Sequence, residues 1–119
     1  MEMALAEAAA AAAMGEVPVG AVVVCNGEVL AKGHNRREVD GDPTAHAELL
    51  AIRATAHIIG DWRLENCTVY VTLEPCAMCA GLMVNSRIER CVYGTTDPRG
   101  GFLGTLGDLS SHEILNHRF

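Results

Sequence analysis

Thr68-Val69-Tyr70-Val71-Thr72-Leu73-Glu74-Pro75-Cys76-Ala77-Met78-Cys79 is the stretch on which the fold turns. Its first half is rich in β-branched and aromatic residues, the side chains that suit a pleated, buried central strand. Glu74-Pro75 ends that strand, and Cys76 to Asn85 is apolar enough to form a helix with both cysteines in its first turn. Glu89 to Gly94 then predicts a further strand. Strand, helix and strand in this order make a right-handed parallel crossover, the connection that lays a helix over a sheet.

Upstream, Asp42-Pro43-Thr44 supplies capping residues and a proline suited to a first helical turn. The spacing of Ala45, Leu49, Ile52 and Ala56 predicts a helix over Ala45 to His57. Before it, Val17 to Cys25 and Glu28 to Gly33 flank Asn26-Gly27, a strong two-residue hairpin signal, and predict an antiparallel pair. Ala8 to Ala13 predicts an amino-terminal helix, with Glu2 and Glu7 toward its positive end and Gly15 and Pro18 beyond its last turn. Gly100 to Gly107 predicts a mobile glycine-rich loop, and no stabilising terminal element is evident at Asn116-His117-Arg118-Phe119. The elements add up to one α/β domain over residues 1–119, a mixed sheet sandwiched between helices.

Composition narrows the function. With 50% hydrophobic and 20% charged residues, the 119-residue chain matches ordinary globular domains. The alanine run is too short to span a bilayer and lacks the pattern of a secretory signal, so no membrane partner is expected. A net charge of −6 argues against a strongly basic nucleic-acid surface, although Arg36, Arg37, Arg87, Arg90 and Arg99 could form a local patch. Five cysteines, an odd number without an export signal, point to a reducing cytoplasm and away from a disulfide framework. Cys25, Cys67 and Cys91 lie in or beside apolar segments and are expected to act as small buried hydrophobes.

Cys76 and Cys79 have the spacing that lets two thiolates share one tetrahedral ion, at a helix start whose free N–H groups favour the thiolate. His46 stands at a second helix start, so two helix ends can bring three donors to one zinc ion. His57 is about 16 Å further along the same helix and cannot join them. Cys67 lies roughly 20 Å off, at the far end of its strand. Cys25, Cys91 and the remaining histidines are not placed by local spacing. An open fourth position for water is therefore expected, as in catalytic zinc sites. Glu48, two residues from His46, is the carboxylate that such a water needs as proton acceptor. Residues two apart do not share a helix face, so His46 must sit at a non-helical threshold.

His46-Ala47-Glu48 followed by Pro75-Cys76-Ala77-Met78-Cys79 is the signature of zinc-dependent nucleobase deaminases. The likeness extends to Glu16-Val17-Pro18-Val19-Gly20-Ala21-Val22-Val23, Gly33-His34-Asn35-Arg36, Asp42-Pro43-Thr44-Ala45, Ala80-Gly81, Ser86-Arg87-Ile88 and Asn116-His117-Arg118. Nearly the whole chain from residue 16 resembles bacterial tRNA-specific adenosine deaminases of the cytidine deaminase superfamily. The resemblance implies a three-layer α/β/α cytidine-deaminase-like fold and hydrolysis of adenosine to inosine at the wobble position of a tRNA anticodon loop. It implies zinc on His46, Cys76 and Cys79, with Glu48 as proton shuttle. It further implies that Asn35 and the Ala47 backbone hold the base edge, that Val19 lies against the base, and that Asp97 sits in the loop shaping the RNA path.

The expected partners are a tRNA anticodon stem-loop, or related single-stranded nucleic acid, and a second copy of the chain. Relatives continue past Asn116-His117-Arg118 into a further strand and a carboxy-terminal helix that this sequence lacks, and Phe102 stands where they carry small residues. Two other readings use the same residues: deamination of cytosine, guanine or a free nucleoside through a different pocket, and a catalytically silent zinc-stabilised binding module.

Overall fold

Asn26 and Gly27 both take positive φ, 51° and 79°, the backbone that a two-residue hairpin turn requires. The turn joins β1 (Gly20–Cys25) to β2 (Glu28–His34), paired antiparallel from Gly20 opposite His34 to Cys25 opposite Glu28, with an irregularity at Val23/Val24. On its other edge β1 pairs antiparallel with β3 (Cys67–Val71), which pairs in parallel with β4 (Arg90–Tyr93). The sheet order is therefore β2-β1-β3-β4, mixed as expected. The computed structural model describes all residues, 1–119. Its helices are α1 (Glu2–Ala13), α2 (Arg37–Asp40), α3 (Ala47–Ile59) and α4 (Ala77–Asn85), followed by a 3-10 turn at Leu109–Ser111.

Alternation along β1 sorts the helices between two faces. Ala21 and Val23 pack with Val69 and Val71 against Ala47, Ala51 and Ile52 of α3, Met83 of α4, and Ile88, forming the main core. Gly20 points the other way, toward α1, where a Cβ would come within 2.1 Å of the Ala4 carbonyl oxygen. Ala4, Ala8 and Ala11 are the buried residues of α1, so the alanine run serves close approach to the sheet as well as helix propensity. On the opposite face Gly33 performs the same service for α3, since a Cβ there would stand 2.6 Å from the Ala47 carbonyl oxygen. These contacts bring the start of α3 down onto the sheet, where His46 and Glu48 are needed.

Several expectations require correction. The Ala45 helix begins two residues later, and its buried positions are Ala47, Glu48, Ala51, Ile52 and Thr55, with Leu49 only half-buried. The helix turns Glu48 inward, which an apolar stripe alone does not reveal. Helix α2 was absent from the sequence reading, because four residues show no periodicity. It is capped from a distance by the buried Glu16, whose carboxylate accepts the N–H groups of Glu38 at 3.1 Å and Val39 at 3.0 Å. Cys25 and Cys67 are not separate thiols: register places them opposite each other on β1 and β3, with Cα atoms 4.2 Å apart, joined in a disulfide. That bond removes the cysteine-based ground for a reducing compartment. The terminal segment is docked, with His117 Nε2 2.7 Å from the Ile88 carbonyl oxygen and the Phe119 N–H donating to Ser110 at 3.0 Å.

Candidate active site

His46 and Cys76 occupy equivalent places, each the residue that caps a helix. His46 precedes α3 with φ −83° and ψ 150°, and Cys76 precedes α4 with φ −74° and ψ 175°. Both backbones are extended, so each side chain leaves the helix end instead of following its spiral. That is how His46 and Glu48, two apart, come to share one site. Cys79 lies in the first turn of α4, fully buried behind them.

The three donors converge. His46 Nδ1 is 3.6 Å from Cys76 Sγ and 3.7 Å from Cys79 Sγ, and all three atoms lie within 4.8 Å of one another. Zinc bonds of about 2.3 Å to sulfur and 2.0–2.1 Å to nitrogen at a tetrahedral angle separate the two donor types by about 3.6 Å. The donor set therefore fits zinc in spacing and in chemistry, and no fourth His, Cys, Asp or Glu joins the cluster. Cys91 stays outside it, with burial pushing its thiol up to about 12. The Cys76 thiol is drawn down to about 5, chiefly by the hydrogen bond from Cys79, against the opposing effect of burial and with help from the Cys79 N–H, His46 and the Met78 N–H. Cys79, which supplies that bond and is buried, is pushed upward.

Glu48 is 4% exposed. Burial pushes its carboxyl up to about 7, its own N–H acts in the opposite direction, and the Cys76 charge adds to the rise. The carboxyl is near enough to both sulfurs for the Cys76 charge and a hydrogen bond with Cys79 to act on it.

A cleft of about 180 Å³ opens over this group, with room for a heterocycle at its floor. Val19, Asn35, His46, Ala47, Glu48, Cys76 and Asp97 all line it, so every sequence-predicted residue except the more deeply placed Cys79 reaches the same space. Asn35 is held by its own bonds: its Oδ1 accepts the Arg37 N–H at 3.2 Å and its Nδ2 donates to the Val17 carbonyl at 3.4 Å. Ala47 is the first helical residue, where an N–H has no partner within the helix. Sequence reasoning missed Val17, Arg37, Leu73 and Glu74 in the lining. Glu74 had a visible signal, a carboxylate directly after a buried strand, but its partners lie more than twenty positions away.

An α/β/α sandwich that brings one His, two Cys and a buried Glu to the starts of two helices defines a zinc-dependent deaminase. The chain belongs to the family of the cytidine and deoxycytidylate deaminase zinc-binding region, whose sequence profile matches residues 1–95. It is 52% identical to the tRNA-specific adenosine deaminase of Bacillus subtilis (strain 168) over 118 residues, which cover 99% of this chain and 73% of that protein. Among solved structures it is similar to a tRNA:A34 deaminase connected with A-to-I editing at the wobble position of transfer RNA. That likeness has a TM-score of 0.94 and 44% identity, covering 98% of this chain and 90% of the other. A guanine deaminase from Bacillus subtilis is more distant, at TM-score 0.77 and 35% identity over 80% of this chain and 61% of its own.

Proposed function

We propose that the protein hydrolyses adenosine to inosine at the wobble position of a tRNA anticodon loop. The observation that carries this reading is the convergence of three metal donors, His46, Cys76 and Cys79, with the buried Glu48 also lining the cleft that opens over them. Zinc held by His46, Cys76 and Cys79 would supply the Lewis acidity that brings the pKa of a water to about 7. Glu48 would take a proton from water as the water oxygen bonds to C6 and pass it to the adjacent ring nitrogen; as the C6–N bond to the exocyclic amine breaks and the C6 carbonyl forms, it would carry the second proton to the departing amine. Water is consumed and ammonia released, so the carboxylate ends as it began.

Asn35 and the Ala47 N–H hold the base edge, Val19 lies against its face, and Asp97 borders the path of the flanking nucleotides. A base reaches donors at the bottom of a cleft when it is turned out of its strand, which an anticodon loop permits. No helix is long and apolar enough to cross a membrane. A tRNA substrate implies a cytoplasmic location, and the family likeness implies a homodimer.

Guanine is the second reading, favoured by the similarity to the guanine deaminase. The deciding experiment incubates the zinc-loaded protein separately with an anticodon stem-loop RNA, guanine, cytidine and adenosine, with nucleoside analysis of the products. Inosine from the RNA is the expected result. Conversion of guanine alone would transfer the assignment, and no conversion of any of them would favour a silent binding module.

A further inference from the structure

Glu74 has no part in the chemistry above, yet it is 2% exposed, between the end of β3 and the metal ligand Cys76. A carboxylate is almost never buried this far unless its acceptor positions are filled. Here they are filled by a single segment. Oε1 accepts the Asp97 N–H at 3.1 Å and the Thr105 hydroxyl, while Oε2 accepts the N–H groups of Leu103 at 3.0 Å and Thr105 at 3.1 Å. The adjoining backbone is tied to the same segment: the Glu74 N–H donates to Thr95 and the Phe102 N–H donates to the Pro75 carbonyl, each at 2.9 Å. Gly101 completes the cradle, because a Cβ there would stand 2.3 Å from the carboxylate carbon. The loop predicted over Gly100 to Gly107 is bonded through Leu103 and Thr105 to the residue two places before a zinc ligand, and Asp97, just upstream of it, lines the cleft.

We propose that Glu74 is a positioning residue: it holds the 95–105 loop against the metal-ligand segment, fixes the Asp97 wall of the cleft, and thereby sets affinity for the RNA substrate. This rests on the deaminase reading of the same cleft. Both carboxylate oxygens are occupied by the loop, and the zinc ligands and Glu48 are held by α3 and α4, so the effect falls on binding and leaves the chemical step alone. Only an acceptor-only group serves. Glutamine would turn its NH₂ toward the Asp97 N–H and the Thr105 hydroxyl, or toward the two backbone N–H groups of Leu103 and Thr105; the hydroxyl can rotate to accept, so at least one N–H loses its bond and faces a donor.

Zinc-loaded Glu74→Gln is compared with the wild type in bound zinc, kinetics on an anticodon stem-loop RNA, and backbone amide exchange. Zinc stays at about one per chain, and KM rises about tenfold while kcat changes less than about threefold, as expected for one or two lost charge-assisted bonds. Faster exchange is confined to the loop, at Asp97, Leu103 and Thr105. An unchanged KM, or a fall in kcat with KM unmoved, overturns the proposal. Should Glu74→Gln not fold, Thr105→Val removes the hydroxyl bond alone; a smaller rise in KM supports the assignment and none overturns it. If the wild type does not convert the RNA, the deaminase reading has failed. Fluorescence anisotropy with the same RNA then replaces KM, and a Kd unmoved by Glu74→Gln, or unchanged exchange at the three amides, overturns the positioning role.

Discussion

Replacing Glu48 by glutamine interrogates the site through stability as well as turnover. Glu48 is 4% exposed, and burial raises its carboxyl from the ordinary 4.5 to about 7 in the zinc-free chain. Between those values the folded state keeps a proton that the unfolded chain has released. Stability is therefore fully retained below about 4.5, falls as pH rises through the window, and reaches its full loss above about 7. At ~1.4 kcal/mol for each tenfold change in proton affinity, the gap amounts to roughly 3 kcal/mol. Glu48→Gln has no charge to bury. Zinc-stripped Glu48→Gln should exceed the zinc-stripped wild type by up to about 3 kcal/mol near pH 8 and match it near pH 4.

Urea unfolding followed by circular dichroism at several pH values measures this. The difference between the two proteins reports Glu48 together with its coupling to the thiols beside it, since the Cys76 charge acts on Glu48 and the Glu48 charge acts on Cys79 and Cys91, while titrating groups remote from the site are common to both and cancel. The zinc-loaded variant should meanwhile lose at least about a hundredfold in turnover, the usual scale of a missing proton shuttle. A variant no more stable than the wild type near pH 8, or an excess that does not change with pH, would refute the reasoning that burial has perturbed this carboxyl.

His46→Ala should reduce bound zinc from about one per chain to near zero, as read by metal analysis after dialysis, because two sulfurs alone leave the tetrahedron half built. Gly33→Ala places a methyl 2.6 Å from the Ala47 carbonyl oxygen and 3.1 Å from the Ala51 nitrogen. Backbone cannot rotate away, so α3 must lift from β2 at a cost of about 1–3 kcal/mol, visible as a lower Tm. Thiol titration of the denatured, zinc-stripped protein should find three reactive cysteines, Cys76, Cys79 and Cys91, before reduction and all five afterwards. Five without reductant would exclude the Cys25–Cys67 bond.

Much of this protein is written locally. Asn26-Gly27 specifies its hairpin because those two residues tolerate positive φ. The β-rich run from Thr68 stops at Glu74-Pro75, and Cys76 and Cys79 are able to share an ion because three positions of a helix start determine their separation. His46 was identifiable for the same reason, as was the need for an extended backbone between it and Glu48. Tertiary structure decided the contacts between segments distant in sequence. Glu16 caps α2 from 22 positions away, Cys25 meets Cys67 across 42, and Glu74 organises a loop whose donors lie 23 to 31 residues downstream. No periodicity or spacing encodes such partners. A turn, strand or capped helix depends on neighbouring backbone torsions, whereas a buried carboxylate finds its donors only after strand register and helix docking have brought remote N–H groups to one point.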